Sequence, residues 1–159
     1  MPATDTGSRE RRILCPDPAA TTKLGLALGL VARAGDLVCL QGDLGAGKTH
    51  LAKAFGAALG VTETITSPTF VLMAEYHGRL PLFHLDPYRL ADAADALAGG
   101  LIDDRQTEGV TLLEWPERLG DALPSSRLDI RIEGAGDEPR QITIVAGTPD
   151  YGRYLDVAG

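Results

Sequence analysis

The spacing of apolar and polar positions predicts two helices and a buried strand in the first part of the chain. Residues 21–31 carry apolar side chains at helical spacing, and Asp17 or Thr21 is placed to cap that helix. The short apolar run at residues 36–41 predicts a buried strand. Residues 50–59 have helical periodicity again and precede a glycine, which is a natural helix end.

The rest of the chain is predicted to add five strands, one helix and a closing helical turn. In chain order these elements cover residues 70–76, 80–85, 91–98, 110–113, 128–133, 140–145 and 151–157. The last two strands alternate apolar and polar residues around a glycine-rich connection, which is typical of an antiparallel hairpin. Strands that alternate with helices predict an α/β fold. We expect a mixed sheet with central parallel strands, helices on both faces and a C-terminal antiparallel hairpin.

The length and composition predict one folded domain. The chain has 159 residues, of which 44% are hydrophobic and 23% charged, as in soluble globular proteins. Residues 1–12 are polar and charged and are predicted to form a flexible leader, followed by a single domain over residues 13–159. No apolar run is long enough to span a bilayer, so a cytoplasmic protein without membrane contact is expected. Cys39 lies in an apolar run and is predicted to be buried.

The net charge disfavours a broad nucleic-acid-binding surface. Fifteen basic residues against twenty-two acidic ones give a formal charge of −7. Surfaces that bind nucleic acid neutralise phosphates with clustered lysine and arginine. The basic cluster Arg9, Arg11 and Arg12 falls in the predicted leader. If the protein acts on nucleic acid, we expect a partner to hold that nucleic acid.

Residues 42–49 match the phosphate-binding pattern G-x-x-x-x-G-K-[ST] in full, between a predicted strand and a predicted helix. The glycines let backbone N–H groups face phosphate oxygens, Lys48 supplies a cation, and the Thr49 hydroxyl suits magnesium. No N-K-x-D-type guanine signature follows, which favours ATP over GTP. The loop predicts binding of ATP and Mg²⁺ by Gly42, Asp43, Leu44, Gly45, Ala46, Gly47, Lys48 and Thr49.

Two carboxylates end predicted buried strands, at the edge where ligands bind in open α/β sheets. Glu114 and Asp86 are therefore candidates to hold magnesium, directly or through water, or to orient an attacking water. The predicted catalytic residues are Glu114, Asp86 and Lys48, and the predicted metal ligands are Thr49, Glu114 and Asp86. In the other interpretation Asp86 is a turn or cap residue and Glu114 a solvated strand end, because a proline lies just beyond each.

Three further features have weaker signals. Ser67 and Thr69 lie in a predicted loop, and a threonine in a comparable loop senses the γ-phosphate in switch GTPases. An ordinary proline-containing turn fits the same residues equally well. Trp115 is the only tryptophan, for which a packing role is the default. His77 and His84 have no serine or cysteine partner at a readable spacing, so nucleophilic catalysis is disfavoured.

In combination, four segments resemble the bacterial TsaE family, also called YjeE, in order and spacing. These segments are GDLGAGKT at residues 42–49, SPTF at 67–70, HLDPYRL at 84–90 and LLEWPERL at 112–119. Many nucleotide-binding proteins share the first segment, whereas the combination is far more specific. The resemblance extends over residues 16–132, and one departure is His50, where the family often has a second threonine.

The resemblance implies a small ATPase needed to make threonylcarbamoyladenosine in tRNA. It implies two protein partners, TsaD and TsaB, with ATP hydrolysis resetting their complex and tRNA contacted only through that complex. By the same resemblance, Lys48 and Thr49 hold phosphate and magnesium, and Asp86 and Glu114 serve the metal and the hydrolytic water. It also assigns Thr69 to the switch-like loop and places Trp115 close to the nucleotide.

Two other functions fit a phosphate-binding loop. A small-molecule kinase is disfavoured because the chain has no arginine-rich lid. A binding module that only senses nucleotide would keep the loop without using the carboxylates. The chain also offers no obvious arginine finger, Arg89 being the nearest candidate, so we expect slow and partner-dependent hydrolysis.

Overall fold

Seven strands form one mixed sheet in the computed structural model, which describes residues 9–43, 46–65, 73–86, 107–120 and 123–158. The strands are β1 (Glu10–Cys15), β2 (Leu37–Gln41), β3 (Met73–His77), β4 (Pro81–Leu85), β5 (Val110–Glu114), β6 (Leu128–Glu133) and β7 (Arg140–Ala146). The described α-helices are α1 (Pro18–Leu30), α2 (Lys48–Ala58) and α3 (Gly152–Val157). Short 3₁₀ turns cover Pro116–Arg118 and Pro149–Tyr151.

The strand order is β1-β7-β6-β2-β5-β4-β3. β6, β2, β5 and β4 are parallel to their neighbours within this central group, whereas β7 and β3 are antiparallel to the strands beside them. The predicted mixed sheet with central parallel strands and a C-terminal hairpin is therefore confirmed. The carboxyl ends of β2, β4 and β5 meet at one edge of the sheet. β2 is followed by the phosphate-binding motif, β4 is followed by Asp86, and β5 ends at Glu114.

Alternate residues of each central strand pack on opposite faces of the sheet. On β2, Val38 and Leu40 belong to the larger core, together with residues of α1, α2 and α3. Leu37 and Cys39 belong to a smaller cluster on the other face, which Leu119 joins after the 3₁₀ turn. All described α-helices thus cover one face. The helix predicted at residues 91–98 lies outside the described residues.

Two glycines allow α1 to pack closely on α2, the helix that follows the phosphate-binding motif. A Cβ atom added at Gly25 would lie 2.6 Å from the Cβ of Ala54, and one at Gly29 would lie 2.5 Å from the carbonyl oxygen of Phe55. Because real Cβ atoms do not approach this closely, only glycine permits the observed spacing. The N-terminus of α1 is capped by Asp17, whose carboxylate accepts from the Ala20 N–H at 2.9 Å.

The prediction of a flexible leader over residues 1–12 is wrong at its C-terminal end. Glu10–Cys15 form strand β1, which pairs antiparallel with β7 along its whole length. The charged residues hid the apolar pattern that would have predicted this strand. An edge strand keeps one side exposed and tolerates charges there. Arg12 makes an exposed ion pair with Glu10 at 2.8 Å, and only Ile13 and Cys15 pack against the core.

Predicted and observed boundaries differ by a few residues elsewhere. Helix α2 begins at Lys48 rather than at His50, because the last residues of the phosphate-binding motif already form the first helical turn. Strand β3 is described from Met73, and the predicted positions before it lie outside the described residues. None of the helices in the described ranges has both the length and the apolar character needed to cross a bilayer.

The C-terminal helix is attached to the start of β2 through one buried carboxylate. Asp36 accepts hydrogen bonds from the Tyr154 hydroxyl at 2.5 Å and from the Arg33 N–H at 2.9 Å, and it pairs with the Arg153 guanidinium. The Tyr151 hydroxyl accepts from the Leu37 N–H at 2.9 Å. These contacts fix α3 against the sheet on the same face as α1 and α2.

Candidate functional site

The phosphate-binding motif connects β2 to α2 at the carboxyl edge of the parallel strands. Gly42 passes close to β6, since a Cβ atom there would lie 2.7 Å from the carbonyl oxygen of Ile132. Gly47 has φ +104° and directly precedes α2, a backbone conformation that favours glycine. The predicted residues Leu44 and Gly45 lie outside the described residues. The first turn of α2 thus presents its N–H groups at this edge, as anion binding requires.

Lys48 is buried, and its charged group makes no hydrogen bond to the described residues. Only 6% of the residue is exposed, and its Nζ atom has no hydrogen-bond partner within the part of the chain that the structure describes. Nζ lies 4.0 Å from Oε1 of Glu114, which is beyond hydrogen-bond distance. A desolvated ammonium without hydrogen bonds is costly. The residue therefore fits an anionic ligand such as a phosphate, which would satisfy its donors.

The predicted carboxylates lie at the same edge. Glu114 is 3% exposed and ends β5, where it is in register with Leu40 of β2. Asp86 directly follows Leu85, which pairs with Leu113 of the neighbouring parallel strand. Asp86 and Glu114 therefore leave adjacent strands on the same side of the sheet. The Thr49 hydroxyl and these two carboxylates are hard oxygen donors, the type of ligand that magnesium prefers.

Trp115 covers Lys48. The ammonium nitrogen lies 3.9 Å from the centroid of the indole ring, the geometry of a cation–π contact. Trp115 has φ +53° and ψ +52°, and it is the one non-glycine residue with positive φ among the described residues. Such a conformation costs about 1–3 kcal/mol and is commonly retained at functional sites. The resemblance predicts Trp115 near the nucleotide, and the structure places its ring against Lys48.

His84 contacts the buried carboxylate, a relationship the sequence did not reveal. It is completely buried on β4, and its Nε2 atom lies 2.6 Å from Oε2 of Glu114. In the sequence the residue begins the segment HLDPYRL and is a titratable side chain after an apolar run, but neither feature indicates a contact with Glu114. Only the pairing of β4 with β5 brings His84 next to Glu114 of the predicted site.

Arg140 is a second residue whose role was not predicted. Its Nε donates to the carbonyl oxygen of Ala46 at 2.8 Å, and its other nitrogens donate to the carbonyl oxygens of Gly136 and Glu138. The side chain thereby ties the phosphate-binding motif to the turn between β6 and β7. Its position after that turn carries no recognisable motif, so only the fold brings it to the site.

A cavity of about 310 Å³ lies beside Gly47, on the side where Arg140 holds the turn. It is lined by residues from the β1–α1 connection, the phosphate-binding motif and the β6–β7 turn, including Cys15, His50 and Asp137. Burial raises the pKa of the Cys15 thiol above its ordinary value, so that thiol remains protonated and weakly nucleophilic. A larger cavity, of about 810 Å³, is lined by residues of β1, β2, β6 and β7 and of the segment after Trp115, and Lys48 does not line it.

The structure brings Lys48, Glu114 and Trp115 into contact and places Asp86 and Thr49 at the same edge. The predicted switch-like residues Ser67 and Thr69 lie outside the described residues. An α/β sheet whose central parallel strand leads into a glycine-rich loop and a buried lysine defines a P-loop-like protein.

Comparison with known proteins identifies the family. The family model described as "Threonylcarbamoyl adenosine biosynthesis protein TsaE" matches residues 15–142. The chain belongs to the TsaE family of threonylcarbamoyl adenosine biosynthesis proteins.

Individual relatives and a solved structure agree with this assignment. The Bacillus subtilis tRNA threonylcarbamoyladenosine biosynthesis protein TsaE is 42% identical over 131 residues, which is 82% of each chain. The Treponema pallidum protein of the same name is 42% identical over 124 residues, covering 78% of this chain and 92% of its own. The crystal structure of Bacillus subtilis YdiB is similar with a TM-score of 0.72 and 34% identity, over 92% of each chain.

Proposed function

We propose that this protein binds and hydrolyses Mg²⁺-ATP and acts in the cytoplasm on a complex of TsaD and TsaB during threonylcarbamoyladenosine modification of tRNA. Family membership supports the pathway. The observation that carries the nucleotide chemistry is the buried ammonium of Lys48, the first residue of α2, which has no hydrogen-bond partner among the described residues and lies 4.0 Å from Glu114. The partners come from the family resemblance, and tRNA contact is indirect because the chain is acidic overall.

In this proposal the chain's own residues perform three tasks. The N–H groups at the start of α2 and the ammonium of Lys48 bind the phosphates. The Thr49 hydroxyl and the carboxylates of Asp86 and Glu114 hold magnesium or orient the attacking water. Bound magnesium neutralises charge that develops on the transferred phosphoryl group.

The cavity beside Gly47 is proposed to hold the nucleoside end of ATP. Its volume of about 310 Å³ is within the range of small-molecule sites. It is lined by Ala46 and Gly47 of the phosphate-binding motif and extends towards Asp17 and Arg140, so it offers room for a base and ribose beside the motif. The Arg140 guanidinium keeps the cavity wall at a fixed distance from Ala46.

Calorimetry and phosphate release test the proposal together. We expect the wild-type chain to bind Mg²⁺-ADP and to release phosphate from ATP slowly, with faster release when TsaD and TsaB are added. The Lys48→Ala variant should lose nucleotide binding, and Glu114→Ala should keep binding but lose hydrolysis. Binding without hydrolysis in every condition would identify a nucleotide-sensing module instead. No binding by the wild-type chain would refute the proposal entirely.

A further inference from the structure

His84 is a fully buried polar side chain next to the candidate catalytic carboxylate. It is in register with Leu112 of β5, and Glu114 lies two residues further along β5 on the same face. The distance from Nε2 of His84 to Oε2 of Glu114 is 2.6 Å. Because the backbone ladder between β4 and β5 fixes both residues, the imidazole holds this carboxylate from a rigid part of the sheet.

The surroundings of the ring determine which nitrogen donates. An ionised carboxylate only accepts hydrogen bonds, so Nε2 of His84 must carry the proton shared with Glu114. Its other nitrogen, Nδ1, is buried and has no hydrogen-bond partner among the described residues. A proton on Nδ1 would have no acceptor among these residues, and a buried donor without an acceptor is costly. The contacts therefore assign Nε2 as the nitrogen that donates to Glu114.

When nucleotide binds, the hydrogen bond from His84 becomes the main restraint on the Glu114 carboxylate in this proposal. Lys48 lies near the other carboxylate oxygen, Oε1, at 4.0 Å. In the proposed function its ammonium turns towards phosphate and no longer restrains Glu114. A glutamate side chain has several rotatable bonds, and catalytic groups must be held close to their productive geometry. The His84 hydrogen bond to Oε2 keeps Oε1 directed towards the phosphate side throughout.

We propose that His84 is a positioning residue that holds the Glu114 carboxylate for hydrolysis while contributing little to nucleotide affinity. This inference rests on the proposed function. It assigns no contact between His84 and nucleotide, since Glu114 lies between the imidazole and the Lys48 ammonium.

Two substitutions at one position separate positioning from packing. His84→Gln keeps an N–H donor near the position of Nε2, whereas His84→Leu keeps most of the volume but removes the donor. Single-turnover phosphate release should fall at least about 10-fold in His84→Leu and return to within about threefold of wild type in His84→Gln. The dissociation constant for Mg²⁺-ATP should stay within about threefold in both variants.

Phe83→Leu is the matched control. Phe83 is the neighbouring buried residue on β4 and packs on the opposite face of the sheet. This variant should lose stability without changing single-turnover phosphate release. Wild-type hydrolysis in His84→Leu would overturn the inference. So would an equal loss of affinity and rate that His84→Gln fails to rescue, because that pattern indicates a structural role.

NMR of histidine labelled with ¹⁵N tests the contact independently of hydrolysis. The chain has three histidines, and the His84→Gln variant assigns the relevant signals. We expect His84 to show an exchange-protected Nε2 proton whose chemical shift changes in Glu114→Gln. An Nε2 atom that carries no proton, or histidine signals that are unchanged in Glu114→Gln, would overturn the inference. Absence of hydrolysis in wild type, with TsaD and TsaB present, would instead refute the proposed function, which the NMR result does not depend on.

Discussion

The ammonium group of Lys48 packs against the face of Trp115 at 3.9 Å from the ring centroid. A cation–π contact of this kind contributes about 0.5–2 kcal/mol, whereas a hydrogen bond to a charged group contributes about 1.5–3 kcal/mol. Several such bonds to phosphate oxygens would therefore outcompete the indole ring for Lys48. The positive φ of Trp115 adds strain that a rearrangement could release.

The first prediction is that nucleotide binding changes the fluorescence of Trp115. As the chain has a single tryptophan, the whole signal comes from this position. Titration with Mg²⁺-ADP should change the emission in a saturable way, because the ammonium leaves the ring for phosphate. In Lys48→Ala the saturable change should disappear. Unchanged emission in wild type, under conditions where calorimetry detects binding, would contradict the predicted movement.

The second prediction concerns the tie between the phosphate-binding motif and the β6–β7 turn. Arg140→Ala removes the hydrogen bond to the Ala46 carbonyl, which leaves the motif less well ordered. We expect the dissociation constant for Mg²⁺-ADP, measured by calorimetry, to rise about 5–30-fold, equivalent to about 1–2 kcal/mol.

Arg11→Ala is the control for this prediction, because Arg11 is an exposed arginine of β1, the strand that pairs with β7, and it does not line the cavities beside the phosphate-binding motif. Its affinity should stay close to wild type. Equal effects of the two substitutions would indicate that loss of positive charge, rather than loss of the hydrogen bond, weakens binding.

The order of apolar runs and glycine-rich turns was sufficient to predict most of the fold. The run before the phosphate-binding motif became β2, and the alternating segments at the end of the chain became the β6–β7 hairpin. These patterns are local, because burial and turn formation act on neighbouring residues. Strand β1 was not predicted, because its partner, β7, lies far away in sequence. In addition, the exposed edge tolerates Arg11 and Arg12, which interrupt the apolar pattern.

The candidate site was predicted only in part, for a related reason. A local motif identified Lys48 and Thr49, and strand ends identified Asp86 and Glu114. The contacts from His84 to Glu114 and from Arg140 to Ala46 join segments separated by 30 and 94 positions. Such contacts depend on strand register and on the path of the turn, which periodicity does not specify.

The third prediction tests the close packing of α1 on α2. In Gly29→Ala the new methyl group would meet the Phe55 carbonyl oxygen at 2.5 Å and the Ala58 side chain at 2.6 Å. Overpacking of this kind costs about 1–3 kcal/mol and should outweigh the gain in helix propensity, which is at most about 1 kcal/mol. Urea unfolding should therefore show a lower free energy of unfolding.

Gly152→Ala provides the matched control, since it is also a glycine-to-alanine change in a helix. A Cβ atom at Gly152 meets nothing within 4 Å, and the backbone there has φ −60°. We expect unchanged or slightly higher stability in this variant. Stability of Gly29→Ala equal to that of Gly152→Ala would show that the two helices can separate at little cost.

The fourth prediction is that the fold loses stability at alkaline pH. Burial, with a smaller contribution from Asp129, raises the pKa of Cys39 from 9.0 to about 12. Burial and the hydrogen bond to Asp36 raise the pKa of Tyr154 above 10.0. Above these ordinary values the unfolded chain releases protons that the folded chain retains. The free energy of unfolding should therefore fall as pH rises, starting near pH 9 for Cys39 and near pH 10 for Tyr154.

Urea unfolding under reducing conditions, at several pH values between about 7.5 and 10.5, measures this effect. Each group contributes a slope of up to about 1.4 kcal/mol per pH unit within its window. Cys39→Ala should lower stability at neutral pH by leaving a small void, but its stability should then depend less steeply on pH above 9. The comparison uses the change in the free energy of unfolding with pH. The void lowers stability equally at every pH and therefore does not affect this slope. Parallel pH profiles for the two proteins would show that the Cys39 thiol titrates alike in the folded and unfolded chains.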